Sequence, residues 1–220
     1  MREYDLHLNT LSLGGSGWFS KLTSEEDWGD RGIAEKYLEK YWLPELEYEE
    51  VWKAIQNNIF SNQEEGLPRM VFKKEYNLIA TKGGCLFLQE DFEQLQKILI
   101  EIGEKYFVVI ENTFDNKLNE PSFRMKFPVS ISWKELTDGN YISSTILESV
   151  YKEFFVFGKS GSWGKYSAND YKHPLEIIGF YPKHSQIFIS NIKQPESDWL
   201  EVKEWLPPDY ITCVKTSFLT

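Results

Sequence analysis

The sequence predicts an α+β fold with a mainly antiparallel sheet and flanking helices. Three observations carry this. The second half of the chain is a succession of short apolar runs, at 153–158, 164–169 and 175–180, divided by turn residues. Earlier stretches, at about 24–60 and at Asp91–Lys105, place apolar residues at helical spacing. No internal repeat or low-complexity linker divides the 220 residues. That length suits a single domain over 1–220, in which a helical N-terminal part (about 24–60) packs on an α+β body.

Taken in order, Tyr4, Leu6 and Leu8 alternate with polar residues and predict a first strand. The glycines of LGGSGWFS then make a turn. Ile33, Tyr37, Leu38, Tyr41 and Trp42 share one helical face, which breaks near Pro44. A second helical piece, Glu47–Ile59, carries Tyr48, Val51, Trp52 and Ile55 on one stripe. Met70–Gln89 reads as strand, with Lys82-Gly83-Gly84 turning between two runs. Asp91–Lys105 is the clearest helix, with Phe92, Leu95, Ile98, Leu99 and Ile102 in phase and Gly103 marking its end. Tyr106–Glu111 is a buried strand, Asn112–Pro121 a polar loop and Arg124–Ser132 a further strand. Trp133–Gly139 and Ser143–Val150 form short helices. After the three strands already named, Glu196–Leu206 is a helix stopped by Pro207-Pro208, and Tyr210–Phe218 is a last strand.

Composition narrows the function. Aromatic residues make up 16% of the chain, an area that must be buried or offered to a partner. The formal net charge of −10 opposes binding to nucleic acid or an anionic membrane and favours a basic partner. Cys85 and Cys213 lie far apart in apolar runs and predict two buried thiols in a reducing compartment. The segment MREYDLHLNTL lacks the apolar core of a secretory signal, and no run reaches the roughly 18 apolar residues of a membrane span. A cytoplasmic protein is expected, without cofactor or metal.

The stretch FFVFGKSGSWGKYSANDY, Phe154–Tyr171, raises the possibility of a phosphate-binding loop. The spacing rejects it. Five residues separate Gly158 from Gly164 where that loop needs four, and Tyr166 replaces the small hydroxyl that would reach a metal ion. A β-hairpin fits better. Phe155, Phe157, Trp163 and Tyr166 fill core layers, a glycine at the turn supplies positive φ, and Gly164 admits a close neighbour.

The same region carries a resemblance. Ile131, Ser132, Trp133, Glu135, Leu136, Gly139, Tyr141, Ile142 and Ser143 form its first part. It continues through Phe157, Gly158, Ser160, Gly161, Trp163, Gly164, Tyr166, Asn169, Asp170, Pro174, Leu175, Ile178 and Gly179. This segment, 131–180, resembles a group of small bacterial proteins associated with the immunity partners of polymorphic toxins. The resemblance implies a protein that binds a cognate toxin stoichiometrically and performs no chemistry.

Charge patterning offers a surface for such binding. Ser24–Glu50 holds ten acids and three bases, a net −7 of the chain's −10, together with Trp28, Tyr37, Tyr41, Trp42 and Tyr48. Aromatic anchors inside an acidic rim suit a basic protein. The partner-binding candidates are Glu35, Glu39, Tyr41, Trp42, Glu45 and Glu49, with the hairpin tip assisting. The opposing reading is a solvated acidic face whose rings are core.

Enzyme readings fare worse. His7 reads as an exposed strand residue and His184 as surface. Neither GKSGS nor SGSWG matches the G-x-S-x-G elbow of a serine nucleophile. An alternative ligand site would use Ser160, Trp163, Lys165, Asp170 and His173 around the hairpin. A structural or regulatory subunit is the third class.

Overall fold

The computed structural model describes residues 2–8, 10–13, 18–21, 31–61, 71–83, 85–112, 122–147, 153–168 and 174–215. Its centre is a six-stranded sheet built from β3 (Asn77–Lys82), β4 (Tyr106–Asn112), β5 (Arg124–Pro128), β6 (Glu153–Gly158), β7 (Trp163–Ala168) and β8 (Leu175–Phe180). The order is β3-β8-β7-β6-β4-β5, and every neighbouring pair is antiparallel. A separate hairpin pairs β1 (Thr10–Leu13) with β2 (Trp18–Lys21). The α+β class with an antiparallel sheet is therefore what the chain adopts.

The central strands explain the layering. β7 and β8 are buried along their whole length and β6 from its second residue onward, so both faces of the sheet need cover. On one face Phe107, Val109, Phe154, Val156, Trp163, Ile178 and Phe180 meet α2 (Arg31–Tyr41), α5 (Gln89–Glu101), α6 (Trp133–Thr137), α7 (Tyr141–Leu147) and α8 (Ser185–Asn191). On the other, Val108, Ile110, Phe155, Phe157, Tyr166 and Ile177 meet residues 48–52 beyond the exposed α3 (Glu45–Glu47), together with α4 (Lys53–Ile59), α9 (Glu196–Val202) and α10 (Pro208–Ile211). The N-terminal helical part thus straddles the sheet instead of lying on one side. Its crossover, Trp42–Leu43, runs along β5, where Trp42 bridges Met125 and the Leu43 N–H donates to the Arg124 carbonyl at 3.0 Å. At the opposite edge the Leu78 N–H and C=O pair with Cys213 and Lys215. Both sheet edges are therefore shielded against strand addition.

Glycine is required where the expected hairpin turns and packs. Gly161 has φ +63°, a left-handed turn conformation. A Cβ on Gly164 would lie 2.9 Å from Phe60 and 3.0 Å from Ile59. The cross-strand neighbour Gly179 is tighter: a Cβ there would overlap the Phe72 ring, whose Cγ alone would be 3.0 Å away. Two paired glycines therefore form a trough in the sheet that takes Phe60 and Phe72.

Several sequence expectations are corrected. Tyr4–Leu8 is not a strand: Asp5–Leu8 is a short helix, α1. Tyr4 and Leu8, both buried, are four apart as well as alternating, and the Arg2 N–H donates to Asp5 at 2.8 Å to begin the turn. His7 consequently packs against Phe123 at 4.8 Å and Trp42 at 5.3 Å and is not on an exposed strand. The run after Lys82-Gly83 is an irregular strap, because β3 pairs with β8 and the Leu86 N–H bonds the Leu147 carbonyl. Within the described part of the expected last strand, Tyr210 is helical and Val214 forms one bridge, to Leu78; residues 216–218 lie outside the described residues. Cys85 and Cys213 form no disulfide and are half-buried rather than buried. No helix among the described residues is long and apolar enough to cross a membrane.

Candidate functional site

The acidic segment divides into rings that face inward and carboxylates that face outward. Tyr41 is 3% exposed and Trp42 9%. Tyr41 lies 5.0 Å from Phe127 and donates its hydroxyl to Glu135 at 2.7 Å. Trp42 packs 5.9 Å from both Tyr4 and Phe123 and donates Nε1–H to Glu3 at 3.1 Å. Both rings belong to the core, as the helical phase of α2 dictates. Glu39, Glu45 and Glu49 are exposed and Glu35 is half-buried. Trp28, Glu25, Glu26, Asp27 and Asp30 lie outside the described residues.

Each of the four described carboxylates is paired with a cation of the chain, Glu35 and Glu39 sharing one. Arg2 bridges Glu35 and also Glu39, the latter at 3.3 Å. Lys53 holds Glu49 at 2.8 Å. Arg124 is the most informative case. Its guanidinium is 5% exposed, lies over the Trp42 and Tyr48 rings at 5.8 and 5.4 Å, and pairs with Glu45. Rings and acids of the segment therefore cage an arginine on the sheet edge. Nothing in the spacing of Arg124 announces this; it arises when β5 is brought beside residues 42–48.

A wide helical turn, Tyr48–Trp52, joins α3 to α4, with the Lys53 N–H bonding the carbonyl of Tyr48 five residues back. In an α-helix, residues five apart diverge by about 140°. The wider turn brings Glu47 and Trp52 together, so Trp52 Nε1–H donates to Glu47 at 3.1 Å while Lys126 binds the same carboxylate at 2.8 Å. Burial pushes the Glu47 carboxyl up, but these two donors outweigh it and hold it below the ordinary glutamate value; Lys159 at the hairpin tip adds to the pull. The tip lies alongside this helix: a Cβ on Gly161 would be 3.6 Å from Ile55. Two regions read separately in the sequence are thus neighbours. Together they leave Glu45, Leu46, Glu49 and Glu50 exposed, with Leu46 at 67% the most exposed large apolar residue described.

The alternative ligand site does not assemble as one cluster. Ser160 and Trp163 close the hairpin around Glu104, a buried carboxylate just past α5. Glu104 accepts from the Ser160 N–H at 3.2 Å, from the Ser160 hydroxyl and from Trp163 Nε1–H at 3.1 Å. Lys165 lies further along β7, 2% exposed, bonded to the Leu86 carbonyl at 2.6 Å and paired with Glu176 at 2.8 Å. The Phe87 ring covers its Nζ at 4.6 Å. Burial raises the Glu176 carboxyl against the pull of Lys165. Lys165 thus staples the strap 85–88 to the sheet. Asp170 and His173 lie outside the described residues. Glu176, a lone charge in the strand LEIIGF, was a visible signal of a buried pair; Glu104 gave none. No group of three or more His, Cys, Asp or Glu among the described residues could hold a metal ion.

The class defined is an antiparallel six-stranded sheet clothed by helices on both faces, with an acidic helical shoulder beside a hairpin tip. No protein-family model, no curated protein and no solved structure matches the chain.

Proposed function

We propose that this chain is a non-enzymatic binding protein of the immunity kind, which neutralises a cognate bacterial toxin by covering a basic active cleft. The observation that carries the reading is the exposed row Glu45, Leu46, Glu49 and Glu50 on the shoulder, set against the hairpin of the segment that resembles immunity proteins. An apolar side chain ringed by carboxylates suits a partner with an apolar contact inside a basic rim. The rings beneath do not touch the partner in this reading; they hold the shoulder rigid, which lowers the ordering cost of binding. The chain acts in the cytoplasm, where such a toxin would be met.

The test is co-expression with the product of the adjacent gene, followed by size-exclusion chromatography. A 1:1 complex is expected, with charge reversal at Glu49 and Glu50 together with Leu46→Asp abolishing it. Because these side chains are exposed, the variant loses only the surface Glu49–Lys53 pair, about 0.5 kcal/mol, and stays folded. A complex indifferent to the triple change would refute the shoulder as the interface.

A further inference from the structure

We propose that the inner end of the acidic shoulder is a binding site for a peptide carboxylate, and that the chain fills it with its own Glu3. Glu3 accepts from Trp42 Nε1–H at 3.1 Å and from the Glu45 N–H at 2.8 Å. Arg124 Nη2 lies 3.7 Å from the same oxygen, Oε2. Donors from the crossover, the start of α3 and the sheet edge thus converge on one carboxylate. The site is defined by contacts within the chain, so it stands whether or not the partner of the shoulder is a toxin.

Arg124 is the group that calls for a ligand. Its side chain is 5% exposed, and among the described residues its Nε and Nη2 have no hydrogen-bond acceptor. Buried donors are nearly always paired, because leaving one dry is costly. Glu45 takes Nη1, and 3.7 Å is too long for a hydrogen bond from Nη2 to Glu3. Nε and Nη2 form one edge of the guanidinium, and such an edge pairs with both oxygens of a carboxylate at once. A ligand carboxylate in the place of Glu3, closer to that edge, would satisfy both nitrogens and keep the Trp42 and Glu45 donors. Glu3 meets the second requirement and not the first.

The occupant is lightly held. The Arg2 and Glu3 side chains are 42% and 43% exposed, and Arg2 pairs with Glu35 and, at 3.3 Å, with Glu39. Exposed ion pairs of this kind add little. Tyr4 and Leu8 are buried and keep α1 in place, so only residues 2 and 3 need move. These two residues form a plug, and their order describes the ligand: an acidic residue preceded by a basic one. The acidic residue would replace Glu3 on Arg124, and the basic one would replace Arg2 on Glu35 and Glu39. Within the chain Glu3 acts at an effective concentration of about millimolar or above, which sets the affinity a partner must exceed.

The experiment is an NMR titration of the ¹⁵N-labelled full chain, read at the Trp42 indole N–H, with acetyl-Arg-Glu-amide and acetyl-Arg-Gln-amide as separate arms at constant ionic strength. The variant Arg2→Ala/Glu3→Ala, which empties the site, should bind the acidic peptide saturably and at least about tenfold more tightly than the glutamine peptide, as loss of a charged hydrogen bond dictates. The parent should bind the acidic peptide at least about tenfold more weakly than this variant, because Glu3 competes for the same donors. A second background, Arg2→Ala/Glu3→Gln, leaves Trp42 and Glu45 an acceptor and guards against a disturbed fold; it should rank the two peptides in the same order. No saturable binding to either variant, equal affinity for the two peptides, or equal affinity of parent and alanine variant would each overturn the assignment.

Discussion

Replacing Glu104 tests the account of the hairpin most directly. The carboxylate takes three donors, and they are not equivalent. Ser160 is exposed, so water replaces much of what its N–H and hydroxyl lose. Trp163 is fully buried, so without Glu104 its Nε1–H has no acceptor. A buried donor left unpaired costs about 1–3 kcal/mol. The lost ordering of the tip brings Glu104→Ala to about 2–4 kcal/mol. Glu104→Gln keeps an acceptor oxygen and gives up only the charge assistance, about 1 kcal/mol. For a chain of this size the alanine variant should melt about 5–15 °C lower. Urea unfolding followed by tryptophan fluorescence measures both variants on one scale. An alanine variant within about 0.5 kcal/mol of the parent would refute the reasoning, since that is the range of an uninvolved surface change.

Two further outcomes follow from the packing and the charges. Gly179→Ala should cost about 1–3 kcal/mol by overfilling the trough, and adding Phe72→Leu should recover part of it, because the two changes share one contact; additive losses in a thermal-denaturation cycle would disprove the close approach. Glu47 titrates below its ordinary value when folded, so its contribution is present above the unfolded pKa and is lost as pH falls through the folded one. The stability gap between the parent and Glu47→Gln, read as urea midpoints, should therefore be widest at neutral pH and close on acidification; a gap that stays constant would remove Lys126 and Trp52 as its cause.

Periodicity made most of the architecture legible. α5 was readable because QLQKILIE keeps the helical repeat, and the three strands from 153 to 180 because short apolar runs such as EFFVFG are divided by turn residues. Short segments were not. Tyr4–Leu8 fits a period of two and a spacing of four equally well, and burial of Tyr4 and Leu8 against α2 settled it. The apolar GCLFL run carried no information about its partner, and β8, distant in sequence, took the place beside β3 that a local hairpin would have used.

The site divides the same way. The order of residues by itself determined that many rings needed burial, that acids crowded one early segment and that the glycine-rich hairpin could not be a phosphate loop. Only the tertiary structure decided which ring met which acid. Arg124 arrives from β5 to be caged by Trp42, Tyr48 and Glu45, and Glu104 arrives from the end of α5 to receive Ser160 and Trp163. The physical reason is that periodicity is a property of neighbouring residues, whereas desolvating a charge requires partners that chain distance does not specify.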